Sequence, residues 1–194
     1  ILYQLPYDQP NVVLNNIPGI CTQQYSWIHP ILEDNCCAGT VNVTYTFENS
    51  VTGERSIENG VISNKSGTIN FQGLRITKTF KVGKTTIEYT LVDQYGNTSK
   101  CSFMVTVNDN EVPVFTAGCP DRVINLLPGE CLGELKNPPT AGDNCSDVTV
   151  TFCFDNGSPA DIYNLPIGSY VLIAKGVDIY GNLQTCRFLV TVAE

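Results

Sequence analysis

Val177-Asp178-Ile179-Tyr180-Gly181-Asn182, followed by Cys186-Arg187-Phe188-Leu189-Val190-Thr191-Val192, is the stretch on which the fold turns. In its second part Cys186, Phe188, Val190 and Val192 recur at every other position, the period-two signature of a strand with one face in a core. In its first part Gly181 can take the positive φ that closes a hairpin, while Asp178 and Asn182 can bond the local backbone. The stretch therefore predicts strand, tight turn, strand, with Cys186 pointing inward. Upstream, Val92-Asp93-Gln94-Tyr95-Gly96-Asn97 and Cys101-Ser102-Phe103-Met104-Val105-Thr106-Val107 carry the same pattern.

Working outward from this echo recovers a whole repeat. Val82-Gly83 corresponds to Ile167-Gly168, and Pro18-Gly19-Ile20-Cys21 to Pro128-Gly129-Glu130-Cys131. Glu33-Asp34-Asn35-Cys36, followed by alternating Val41, Val43, Tyr45 and Phe47, corresponds to Gly142-Asp143-Asn144-Cys145, followed by Val148, Val150, Phe152 and Phe154. The register slips because the first copy carries an insertion over about residues 48–79, in which Asn59-Gly60 and Ser66-Gly67 read as turn signals of an extra hairpin or a long loop. The expected organisation is repeat 1 over 1–109 and repeat 2 over 110–194, joined by the acidic, proline-closed linker Asn108-Asp109-Asn110-Glu111-Val112-Pro113. Ile1 corresponds to Glu111 and Glu194 to Asp109, so the chain reads as cut where repeats join, with further copies expected on either side.

Composition agrees with strands. Only 15% of the 194 residues are charged, Met and Trp occur once each, and no stretch long enough for an amphipathic helix stands out. A net charge of −8 and a pI near 4.5 disfavour nucleic-acid phosphates and anionic membranes as partners. No run of about 18 apolar residues is present to span a bilayer, and Ile1-Leu2-Tyr3-Gln4 lacks the basic start of a signal peptide. Nine cysteines without paired Cys-x-x-Cys knuckles, beside a single histidine, indicate disulfides in an oxidising compartment more than zinc.

The ordered set Cys119-Pro120, Pro-Gly-x-Cys, Asp-Asn-Cys, Val/Ile-Gly, Asp-x-Tyr-Gly-Asn and Cys-x-Phe-x-Val-x-Val resembles the hyalin repeat, or HYR, module across both halves. The resemblance implies an all-β fold of two tandem immunoglobulin-like β-sandwich domains, disulfide-bonded, in an extracellular adhesion or surface protein. In repeat 1 the position corresponding to Cys119 is Gln9, a departure that alters the usual disulfide pattern. In an immunoglobulin-like order the expected bonds are Cys145 with Cys186 and Cys36 with Cys101, with Cys119 as a competitor for Cys186. Cys21, Cys37 and Cys131 make up the remaining candidates, and Cys153, on the threonine face of its strand, is the expected spare thiol, free or bridging to another molecule.

Asp109, Glu111, Asp143, Asn144, Asp178 and Asn182 are candidate ligands for a structural Ca²⁺, which takes about six to eight oxygens; the competing use of these residues is to cap turns. Tyr25, Trp27 and His29 alternate and invite a sugar-stacking reading, against which a lone Trp in a sandwich more often packs in the core. Asn42, Asn64, Asn97, Asn144 and Asn156 head glycosylation sequons. Val171 and Ile173 stand where repeat 1 has Thr86 and Glu88, predicting an apolar strip on repeat 2.

No Gly-x-Ser-x-Gly elbow, His-Glu-x-x-His or phosphate loop occurs, so a non-catalytic structural or adhesion module without a cofactor is the expected function. The alternatives are a self-assembling filament subunit linked through Ile1-Leu2-Tyr3-Gln4-Leu5-Pro6-Tyr7, Cys37 or Cys153, and an accessory binding domain of a secreted enzyme. Expected partners are other proteins, further copies of the repeat, or glycans.

Overall fold

A computed structural model describes residues 11–28, 40–63 and 75–194. The chain divides into two units, Ile1–Asp109 and Asn110–Glu194, and every element among the described residues is a strand or a turn.

Unit 1 contains β1 (Val12–Asn15), β2 (Thr22–Ile28), β3 (Thr40–Glu48), β4 (Arg55–Ser63), β5 (Arg75–Lys81), β6 (Gly83–Val92) and β7 (Thr98–Asn108). Five of them form a sheet in the order β1-β7-β6-β3-β4, and β2 pairs with β5 in a second layer. Alternation builds the core: Val41, Val43 and Phe47 from β3, Ile87, Tyr89 and Leu91 from β6, and Phe103, Val105 and Val107 from β7 are all buried. Trp27 closes it from β2. Its ring is 2% exposed, meets Phe103 edge-on at 5.7 Å, and donates its indole N–H to the Tyr89 hydroxyl at 2.8 Å. Burial holds the Tyr89 phenol far above its ordinary pKa, against the opposing pull of that hydrogen bond.

The insertion supplies an edge strand. β4 runs antiparallel to β3 with Thr44 opposite Asn59 and Val43 opposite Gly60, so Asn59-Gly60 lies inside a strand and is not the turn its sequence suggests. Close approach explains the glycine, since a Cβ at position 60 would sit 3.0 Å from Cγ1 of Val43. The reversal occurs instead at Asn49–Glu54, where the buried Asn49 accepts from the N–H groups of Val51 and Thr52 and donates to the Val82 carbonyl. Ser66-Gly67 lies outside the described residues.

Unit 2 contains β8 (Arg122–Asn125), β9 (Leu132–Gly133), β10 (Val148–Phe154), β11 (Leu165–Pro166), β12 (Gly168–Asp178) and β13 (Leu183–Ala193). Its main sheet has the order β10-β12-β13-β8, and β9 pairs with β11 in the covering layer. Leu126, Leu135, Ile162 and Leu165 pack against Leu172, Ala174, Phe188, Val190 and Val192, with Val150, Phe152 and Phe154 joining from β10. β10 is an edge, whereas its counterpart β3 is covered by β4. Only its end is screened: the chain turns after Phe154 and returns, so that Phe154 N–H donates to Ser158 and Ala160 N–H to the Phe152 carbonyl.

Candidate functional site

The repeated Asp-x-Tyr-Gly-Asn segment forms one device twice. In unit 2, Asp178 Oδ1 accepts from the N–H groups of Tyr180 and Asn182, and Oδ2 accepts from the Asn182 side chain. In unit 1, Asp93 makes the same three bonds with Tyr95 and Asn97. Gly96 and Gly181 take φ of 83° and 92° to complete the turns. The Asn97 side chain, together with backbone N–H groups, holds the Asp93 carboxyl below the usual carboxylate range.

The candidate calcium ligands divide between these turns and a local pair. Asp178 and Asn182 are engaged in the turn just described, where three N–H donors meet one carboxylate. Asn144 donates its side-chain amide to Glu111 at 2.8 Å, and Asp143 accepts from Cys145 N–H. Asp109 is buried at the end of unit 1.

The cysteines differ from expectation. Cys186 is bridged to Cys119, not to Cys145. The reason lies in the parallel pairing of β8 with β13: Asp121 accepts from Leu189 N–H at 2.7 Å, which draws the segment after Cys119 alongside β13. Cys21 and Cys145 each take part in a disulfide bond as well. Cys101 is a free thiol, so the expected Cys36–Cys101 bond is not made, and Cys131 is free and exposed where a bridge was expected. Burial, with a smaller contribution from Glu88, raises the Cys101 pKa. Cys36 and Cys37 lie outside the described residues. Cys153 is free but buried, because the returning segment pairs Pro159 with it and its sulfur lies 3.8 Å from the Ile173 carbonyl. The thiol expected to reach another molecule is therefore covered, and among the described residues the exposed free thiol is Cys131.

The alternation of Tyr25 and Trp27 is a core feature. Tyr25 stacks on Trp27, whose ring is buried, and His29 lies outside the described residues. Asn97 spends its amide on Asp93 and Asn144 on Glu111, while Asn42 sits half-buried in β3 and Asn156 accepts from Ser158 in an exposed turn; Asn64 is outside the described residues. Val171 and Ile173 are half-buried on the outer face of β12, with Leu189 opposite Val171 and 40% exposed. Sequence reading missed a polar groove on the flank of unit 2 beside Tyr163, because its lining comes from β8, the turn after it, β9 and a distant turn.

Residues 61–107 match the HYR domain family. Over 114 residues, 57% of this chain, the sequence is 33% identical to Hyalin of Lytechinus variegatus, and the match spans 21% of that protein's length. Among solved structures, Sidekick-1 immunoglobulin domains 1–4 align over 96% of this chain and 48% of that chain at 13% identity and a TM-score of 0.42. The fibronectin(III)-like modules of Clostridium thermocellum CbhA align over 96% and 92% at 15% identity and a TM-score of 0.34. The family match over residues 61–107, the likeness to Hyalin and the disulfide bonds together are those of an extracellular, all-β module similar to the HYR domain.

Proposed function

We propose that the chain is a non-catalytic structural and adhesive element of a larger extracellular protein, built from two HYR-like repeats in tandem. The observation that carries this reading is the duplicated Asp-x-Tyr-Gly-Asn turn, with the same donors and acceptors in each unit and a cysteine at the same place in the following strand. The buried cores leave protein surface as the working part, and such surfaces act by contact with other proteins or with neighbouring repeats. Light scattering on the purified chain tests it. A monodisperse monomer is expected, and filaments or open-ended oligomers refute it.

A second reading, a self-assembling fibre subunit, is favoured by one observation: the exposed free thiol of Cys131 can link chains. Non-reducing electrophoresis separates the two, because fibre assembly through Cys131 yields covalent ladders that collapse in Cys131→Ser.

A further inference from the structure

We propose that unit 2 binds a neutral oligosaccharide in the groove between β8 and the β9–β11 pair, with the Tyr163 ring as the stacking surface. The groove has a volume of about 510 Å³, within the usual range for small-ligand sites. Its charged lining is balanced, Arg122 and Lys136 against Glu130 and Glu134, so neither an anion nor a cation is favoured as a whole. Arg122, Glu134 and Lys136 take part in no ion pair among the described residues and keep both donors and an acceptor for a ligand. Glu130 is fixed, accepting from Leu127 N–H at 2.9 Å.

Tyr163 is 63% exposed, yet its backbone is held by Asp161, which accepts from Tyr163 N–H at 3.0 Å and from the Asn164 amide at 2.8 Å. An exposed aromatic ring on an anchored backbone, beside mixed donors and acceptors, suits a pyranose, which has an apolar C–H face and a hydroxyl-bearing edge. Gly133 lets β9 close on β8 and β13, since a Cβ there would lie 2.9 Å from Cγ2 of Ile124 and 3.0 Å from Cγ1 of Val192, and this close approach sets the spacing of the groove's two walls. Unit 1 lacks the same lining, since Ile20 stands at the position of Glu130 in the repeated Pro-Gly-x-Cys segment.

The inference rests on the extracellular reading only in placing the chain where glycans are met. The test is an NMR titration of the full isotope-labelled chain with cellotetraose, tetra-N-acetylchitotetraose and mannotetraose, with a heparin tetrasaccharide as the charged control. One neutral tetrasaccharide is expected to give saturable shifts confined to amides of β8, Leu132–Lys136 and Asn164. Tyr163→Ala should weaken that affinity by about tenfold, and Tyr163→Phe should keep it. Absence of saturable shifts with all three neutral probes overturns the proposal, as do shifts with heparin alone or an unchanged affinity in Tyr163→Ala. The shift map locates the ligand even if Tyr163→Ala folds poorly, and a negative result leaves the monomer test of the repeat module untouched.

Discussion

Asp178 shows how one side chain fixes a hairpin: it is 5% exposed and takes three N–H donors in place of water. Removing the carboxylate strands those donors at a half-buried turn, so Asp178→Ala should cost about 2 kcal/mol of stability in urea denaturation. Two further aspartates, the half-buried Asp93 and the exposed Asp161, give a pH signature. Asp93 is held down first by the Asn97 side chain, and Asp161 first by the Asn164 side chain. Their folded forms bind fewer protons than the unfolded chain, so their contribution is full above the unfolded carboxyl pKa of about 4 and is lost as pH falls through the lower folded value. Carboxyl titration by NMR should place both midpoints below the ordinary 3.8; a midpoint at or above it refutes the assignment. These turns were legible in the sequence because their chemistry is local, residue i binding residue i+2 and i+4. The bridge from Cys119 to Cys186 was not, since it spans 67 residues and depends on which strand lies beside β13.

At the scale of elements, alternation fixed the strands and left their neighbours open. The faces of β10 and β13 followed directly from period two, but nothing in the Arg55–Ser63 sequence says that it covers the edge of β3. Asn59-Gly60 misled because glycine serves two purposes, a turn conformation and close contact, and here it allows contact with Val43. The true turn depends on Asn49, which is buried and bonds Val51, Thr52 and Val82 at once. Asn49→Ala should therefore cost about 2 kcal/mol and expose β4 amides to hydrogen exchange before those of β6. Trp27 joins the layers more heavily. Trp27→Ala removes the ring packed on Phe80 and Phe103 and leaves the Tyr89 hydroxyl without its indole donor, a loss of about 3 to 5 kcal/mol measured by thermal or chemical unfolding.

At the scale of the whole molecule, internal repetition was the strongest signal in the sequence, since each half annotates the other. The comparison also explains the odd thiol: Cys186 has Cys119, whereas Cys101 has Gln9 at the corresponding sequence position. Native alkylation should label Cys131 first and Cys153 only after unfolding, because one is exposed and the other lies beneath the segment around Pro159. The Cys119–Cys186 bond has a mechanical consequence as well. β8 and β13 are parallel, so tension applied to the two ends of unit 2 loads their ladder in shear, and the bond carries that load past everything between its sulfurs. Single-molecule pulling should show unit 2 withholding roughly 230 Å of contour until a reductant is added, from its 67-residue loop at about 3.4 Å per residue. Such a repeat behaves as a tether with a built-in stop: it yields a short length and then holds.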